Sequence, residues 1–200
     1  MLNQKNCTII GLDLDLTLVD STKAIIFAAN SALKLHGYNP NSEKIESMIG
    51  IPIRNIFHSL AADPDVDILF ETYQNVYRKE AYKLSVPMPG AVSFLNYVND
   101  KDLVSIVITA KTAELAKLQL QFLEMRVSHI VGSSFQNGKT EALIRNNCDV
   151  YLGDHIEDYK SARDAGVPFI GIGKYWKNLI ANANETFMSV SSLEDLLEIL

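Results

Sequence analysis

The sequence predicts an α/β fold, a Rossmann-like parallel sheet with helices on both faces, carrying an inserted α-helical cap domain. Three observations point to it. Residues 8 to 12 (TIIGL) form an apolar run suited to a strand buried on both faces, and the run stops at two carboxylates, Asp13 and Asp15. Residues 18 to 85 then hold four helical patterns in succession with no strand pattern between them. Past the segment SVPMPG, residues 85 to 90, helical patterns alternate with short β-rich runs. Such alternation argues for parallel pairing through right-handed crossovers. The expected division is an α/β core of residues 1–17 and 86–200 and a helical cap of residues 18–85, which a β-hairpin within 20–80 would refute.

Asp13 and Asp15 stand two apart, with Thr17 two further on, so on extended chain they share one face. They are presented where a buried strand leaves the sheet, and open α/β sheets bind ligands at the carboxyl ends of their strands. Asp20 or Ser21 can cap the first helix, whose apolar positions are Ala24, Ile25, Ala28, Ala32 and Leu35 and which Gly37 stops. Ser42 can cap a second, with Ile45, Met48 and Ile49 apolar and Gly50 at its end. Pro52 suits the first turn of a third, burying Ile53, Ile56, Phe57 and Leu60. Asp63 followed by Pro64 starts a fourth, with the stripe Val66, Leu69, Phe70, Tyr73, Val76 and Tyr77, which reads as cap core.

The two prolines and the glycine of SVPMPG cannot continue a helix. Beyond them Ala91, Val92, Phe94, Leu95 and Val98 form a helical stripe. A buried strand is expected over 104–109 (VSIVIT), a helix over 112–125 and a shorter strand over 127–131. A short helix over 140–146 precedes a strand over 150–153 (VYLG) that runs into Asp154. A helix over 156–165 is closed by Gly166 and Pro168. Strands over 169–172 and 187–190 and helices near 174–182 and 192–199 complete the chain. Tyr175 and Trp176 read as surface or packing aromatics.

Composition narrows the function class. With 200 residues, 48% of them hydrophobic, the chain can bury a sizeable core, roughly 70% of its unfolded surface. The net charge of −6, with no Lys/Arg run, gives no footing for a nucleic-acid partner. No apolar run approaches the ~20 residues that span a bilayer. The first residues lack the pattern of a signal peptide, and two cysteines, Cys7 and Cys148, are too few for a disulfide scaffold and lack CxxC spacing. A cytoplasmic protein is expected, a monomer or homodimer without nucleic-acid or membrane partners.

Four polar patches make chemical sense as one site. They are Asp13 with Asp15; Thr109 at the end of VSIVIT, closely followed by Lys111; Lys139, after Gly138 at a helix start; and GDHIED, with Asp154 at a strand end and Asp158 a helical turn on. Asp13, Asp154 and Asp158 together would need a hard divalent cation, and carboxylates with water suit Mg²⁺ best. An anionic substrate would also need a fixed cation, a role for Lys139. The Thr109 hydroxyl and the backbone amides beside it, at Ala110, could cradle a phosphate oxygen. The assembly reads as a site for phosphoryl transfer, where positioning and charge neutralisation supply most of the rate. Its other residues have simpler readings. His155 is a poor match for Mg²⁺, Glu157 is a helix-start acid, and Arg54 either meets a substrate's anionic end or is a solvated helix residue.

This set resembles the haloacid dehalogenase superfamily of hydrolases, closest to the phosphoglycolate-phosphatase-like branch with an α-helical cap. Asp13-x-Asp15-x-Thr17 looks like its first motif, Thr109 its second, Lys139 its third, and Gly153-Asp154-x-x-x-Asp158 its fourth, in the family's order. DYKSARDAG, residues 158 to 166, resembles the helix that follows the fourth motif, and the helical block falls where the family inserts a cap. The resemblance implies that Asp13 is the nucleophile, forming an aspartyl-phosphate, and that Asp15 protonates the leaving group and later activates water. It implies Mg²⁺ held by Asp13, the backbone carbonyl of Asp15, and Asp154, with Asp158 in support. Thr17, Thr109, Ala110, Lys139 and Arg54 would meet the substrate. Leu16 departs from the pattern by standing where glycine is common, and Lys139 lacks the proline that often follows, so Lys111 competes as the phosphate-binding lysine.

The function expected is a Mg²⁺-dependent phosphatase acting on a small phosphorylated metabolite of the phosphoglycolate or sugar phosphate type. A phosphosugar mutase shares the catalytic set and is the alternative. A haloacid dehalogenase is disfavoured by Asp15, and a non-catalytic phosphoaspartate receiver by the helical block where its phosphorylated strand would lie. The resemblance also makes the strands before Asp13 and Asp154 neighbours. Cys7 and Cys148 precede those acids by equal intervals and are therefore expected side by side as buried thiols.

Overall fold

The computed structural model describes residues 9–61, 64–173, 176 and 187–199. Its centre is a parallel six-stranded sheet, ordered β5-β4-β1-β6-β7-β8. The strands are β1 (Ile9–Leu12), β4 (Val104–Ile108), β5 (His129–Val131), β6 (Val150–Gly153), β7 (Phe169–Ile172) and β8 (Met188–Val190). A two-residue ribbon, β2 (Val19–Asp20) against β3 (Val86–Pro87), pairs antiparallel. Between its strands run α1 (Thr22–Leu35), α2 (Ser42–Glu46), α3 (Ile53–Leu60), α4 (Val66–Lys79) and a 3₁₀ turn. After β3 come α5 (Ala91–Asp100), α6 (Ala113–Phe122), α7 (Asn137–Arg145), α8 (Ile156–Ala165) and α9 (Leu193–Leu197).

Chain order explains the sheet. From β1 the path runs outward through β4 to β5, then returns to the other side of β1 for β6, β7 and β8. The order therefore reverses around β1, and the carboxyl ends of β1, β4 and β6 meet there, where this architecture binds ligands. Alternation of side chains sorts the sheet onto two cores. Ile10 and Leu12 of β1 join Val107, Val150 and Leu152 with Phe94 and Leu95 of α5 and Leu193 of α9. On the opposite face Ile106, Ile108 and Tyr151 pack with Leu143 of α7 and Ala162 of α8. Gly11 lies on that second face because a Cβ there would stand 2.9 Å from the Tyr151 ring.

The helices between β2 and β3 bury their own apolar cluster, including Ala28, Leu33, Ile56, Phe57, Leu69, Tyr73 and Tyr77. Each fully buried leucine, isoleucine or phenylalanine among them contributes about 1.5–3 kcal/mol over leaving it in water. The α1 stripe differs from the periodicity reading, because Leu35 is 69% exposed and Ala29 and Leu33 are buried instead. The caps shift too. Asn41, not Ser42, accepts the Lys44 amide to open α2. Asp65 accepts from the Ile68 amide to open α4, while Asp63 lies outside the described residues.

The expected helix near 174–182 falls outside the described residues except for Trp176. Trp176 is fully buried and packs edge-on against Phe169 and Phe187. Tyr175 is not described. Cys148 is a buried free thiol, and Cys7 also lies outside the described residues. The register nevertheless corrects the offset behind that pairing. Ile10 stands opposite Val150 and Leu12 opposite Leu152, which places Asp13 beside Gly153, one residue short of Asp154. Among the described residues, no helix is long and apolar enough to cross a membrane.

Candidate active site

Asp13 leaves β1 with its amide bonded to the Leu152 carbonyl at 2.8 Å, so strand geometry fixes its backbone. The chain then folds back tightly. Both Leu18 and Val19 donate to the Leu14 carbonyl, at 3.0 and 2.9 Å, and the Leu16 amide donates to Val19. That reversal puts Leu16 at φ +63°, a left-handed conformation with no steric penalty only for glycine. The loop carries Thr17 inward, fully buried, where its hydroxyl donates to Asp154 Oδ1 at 3.3 Å.

Carboxylate oxygens of Asp13, Asp154 and Asp158 all lie within 4.8 Å of one another. Lys139, from the first turns of α7, donates to Asp13 Oδ1 and Asp158 Oδ1, both at 2.6 Å. Asp158 also accepts from the Tyr151 hydroxyl at 3.0 Å and the His155 amide at 3.1 Å. It reaches these partners because Gly153 has no side chain, a Cβ there falling 2.6 Å from the Asp158 Cβ. His155 does not enter the cluster. It caps α8, its Nδ1 accepting the Glu157 amide at 3.2 Å.

Three carboxylates against one ammonium leave two negative charges in a buried pocket. The consequence is visible in the acidities. Burial first, then Asp158 and Asp15, push Asp13 up to about 7, against the pull of Lys139. Burial, with Asp13 and Asp158, holds Asp154 well above the usual carboxylate range. For Lys139 burial disfavours the charged form, but Asp13 and Asp158 more than offset it and its pKa rises. A divalent cation would cancel the surplus, and an all-carboxylate donor set suits a hard ion such as Mg²⁺.

Asp15 is held apart from that cluster. Its Oδ1 accepts from Lys111 Nζ at 2.6 Å and from the Ser21 hydroxyl. The same ammonium reaches the Tyr77 hydroxyl at 3.0 Å and Gln119 Oε1 at 2.7 Å, and Gln119 in turn donates to Ser85. The two lysines thus serve different aspartates. Thr109 is buried, and its Oγ1 accepts the Lys111 amide at 3.2 Å, leaving its own proton to donate.

Asp13, Asp15, Lys111 and Lys139 line the floor of a cleft of about 250 Å³ with Thr109, Ala110, Ser133 and Phe135. Helices α1, α3 and α4 and the 49–52 loop supply its roof, Arg54 among it. Arg54 is bonded to Asp67 at 2.6 Å and stacked over the Phe70 ring at 4.1 Å. The sequence singles out Lys111 and Asp15 but not the Gln119 and Ser85 that complete their network. A polar Gln119 on the otherwise apolar inward face of α6 is the available signal for that network. Ser21, expected only as a helix cap, joins the network by its bond to Asp15.

Comparison with known proteins bears on this cleft. The family described as haloacid dehalogenase-like hydrolase matches residues 10–172. The phosphoglycolate phosphatase of Chromobacterium violaceum is 28% identical over 220 residues, covering 98% of this chain and 99% of that protein. The phosphoglycolate phosphatase of Agrobacterium fabrum is 28% identical over 181 residues, covering 80% of this chain and 78% of its own length. Among solved structures, a haloacid dehalogenase-like family hydrolase from Streptococcus pneumoniae superposes with a TM-score of 0.79 at 22% identity, over 96% of this chain and 98% of that one. A hydrolase from Pseudomonas syringae gives 0.76 at 21% identity, with 96% of each chain covered. At those identities the superpositions speak to the fold.

Proposed function

The chain belongs to the haloacid dehalogenase-like hydrolases, and from that premise we propose that it is a Mg²⁺-dependent phosphatase acting on a small phosphorylated metabolite through an aspartyl-phosphate on Asp13. The observation that carries the reading is the trio Asp13, Asp154 and Asp158 facing a single Lys139 at the carboxyl end of β1. It joins a nucleophilic carboxylate, a fixed cation and a charge deficit that matches one divalent ion. Relatives named phosphoglycolate phosphatase support the phosphomonoester as substrate class.

Asp13 and Asp154 would hold the ion with the Asp15 carbonyl, Asp158 supporting from behind. When bound, Mg²⁺ would neutralise phosphoryl oxygens and keep Asp13 ionised. The chain's own groups supply the rest. Lys139 steadies Asp13 and, with the Thr109 hydroxyl and the Ala110 amide, offers donors to phosphoryl oxygens. The Asp13 carboxylate forms a bond to phosphorus as the ester P–O bond breaks, and Asp15 gives the leaving oxygen its proton. Asp15 then takes a proton from water, which attacks phosphorus, releases phosphate and restores Asp13. Lys111 and Ser21 fix the Asp15 carboxyl for both transfers.

The test is phosphate release from a panel of phosphorylated metabolites with Mg²⁺ and with a chelator. Release that needs Mg²⁺ is expected. Release that is indifferent to the chelator, or none on any phosphomonoester, would overturn the proposal.

A further inference from the structure

The cleft has two chemically distinct walls. Most charged and hydroxyl groups belong to its floor, whereas the roof is built mainly from Ile49, Ile51, Ile53, Ile56 and Phe70. Leu115 of α6 extends the apolar wall at the side. Among the described lining residues, the helices between β2 and β3 contribute a single charged group, Arg54. It is no buried anion site, because its side chain is 43% exposed, shares one N–H with an Asp67 whose side chain is 88% exposed, and has Phe70 against one face. Tyr73, also in the roof, stays neutral, since burial and then Tyr77 and Asp15 push its hydroxyl well above the usual phenol range.

We propose that this cleft selects phosphomonoesters of small, uncharged, largely apolar alcohols over phosphomonoesters that carry a second anionic group. The inference rests on the phosphatase reading and narrows its substrate. A second carboxylate would be carried out of water against aliphatic side chains, and buried charge is tolerated only when paired. The roof's one cation, Arg54, is part-exposed and shared with Asp67, so it offers a second anion only a solvent-screened partner. An alkyl or aryl body gains from the same wall, roughly fourfold in kcat/KM for each methylene group removed from water. The cavity of about 250 Å³ must also admit the phosphoryl group. It lies below the roughly 300–1,000 Å³ that takes drug-sized ligands, so the alcohol is about one ring or a short chain.

The experiment compares kcat/KM for n-butyl phosphate, benzyl phosphate and 2-phosphoglycolate under Mg²⁺, with acetyl phosphate as an activated substrate too small to use the roof. Both uncharged esters should exceed 2-phosphoglycolate at least tenfold. In Ile51→Lys, a half-buried roof position, the ratio should shift at least fivefold toward 2-phosphoglycolate. If acetyl phosphate is hydrolysed and 2-phosphoglycolate equals or surpasses the uncharged esters, the specificity is wrong and the phosphatase reading stands. If neither acetyl phosphate nor any of the three esters is hydrolysed, both fall. Should the lysine variant not fold, the wild-type ratios decide alone.

Discussion

Lys111 donates to Asp15 at 2.6 Å from a position where Tyr77 and Gln119 hold the same ammonium from behind, and it is therefore committed to the Asp15 side of the cleft. Lys139 is committed to Asp13 and Asp158. Two buried lysines on separate sets of aspartates make separable predictions. Lys139→Met strands three carboxylates and should cost about 3–5 kcal/mol of stability. It should also lower kcat roughly 10²–10³-fold and abolish inhibition by inorganic phosphate. Lys111→Met should lose roughly 10²-fold in kcat through a misplaced Asp15, yet keep phosphate inhibition. Steady-state kinetics with phosphate as inhibitor separates them, and the opposite pattern would make Lys111 the phosphate-binding lysine.

The charge deficit predicts how pH and metal act together. In the metal-free protein Asp13 titrates near 7, above the roughly 3.9 of an unfolded chain. A raised carboxyl pKa means that the folded state holds the proton more tightly. Its stabilising contribution is complete below about pH 4 and is lost as pH rises through about 7. Metal-free protein should therefore melt lower at pH 8 than at pH 6. Mg²⁺ should reverse the loss, raising the melting temperature more at pH 8, by about 5–10 °C at a hundredfold excess over its Kd. Equal gains at both pH values would count against ion binding by these carboxylates.

Local signals were legible in the sequence where one element decides its own form. The run 150–153 was expected as a strand and is Val150–Gly153, and the helix expected over 156–165 is Ile156–Ala165. Cap choice was less legible. Asn41 and Ser42 are both good caps, and Asn30, distant in sequence, donates to the Ser42 hydroxyl while Asn41 takes the cap. Register was inferred one residue off because equal spacing from two aspartates says nothing about which residues pair. The strand ends announced Asp13, Thr109 and Asp154, since polar residues after buried runs stand out. The Lys111, Tyr77, Gln119 and Ser85 chain joins residues far apart in sequence, and only the fold brings them together.

Leu16 stands in a turn that demands positive φ, and its side chain packs against the helical cluster. Leu16→Ala keeps the strain and loses the contact, whereas Leu16→Gly loses the contact but relieves the strain. The glycine variant should therefore be the more stable of the two by about 1 kcal/mol. Urea denaturation measures the difference, and an alanine variant of equal or greater stability would mean that the turn is not strained.

Thr112 opens α6 without capping it, and its hydroxyl is buried with no hydrogen-bond partner among the described residues. An unmet buried hydroxyl costs about 1–3 kcal/mol, and valine has nearly the same shape without it. Thr112→Val should raise stability by about 1 kcal/mol, or roughly 2–4 °C in melting temperature. A loss of similar size would show that the hydroxyl is satisfied in solution.

Asp13 and Asp15 should divide the chemistry as their surroundings divide them. Asp13 sits in the carboxylate cluster under Lys139, where a bound cation would favour its ionised form and hence its nucleophilicity. Asp15 is outside that cluster, its carboxyl held by Lys111 and Ser21. That position leaves it able to pass a proton without a metal ion competing for the same oxygen. Asp13→Asn should therefore abolish turnover and the covalent intermediate together. Asp15→Asn should still be phosphorylated slowly by a substrate whose leaving group needs no proton. It should then accumulate the phosphoenzyme, because nothing remains to activate water. Mass spectrometry of acid-quenched protein reads the added phosphate and its position. Phosphate on Asp13 in the Asp15→Asn variant, and none in Asp13→Asn, is the expected result; phosphate on Asp15 in Asp13→Asn, with none in Asp15→Asn, would reverse the two roles.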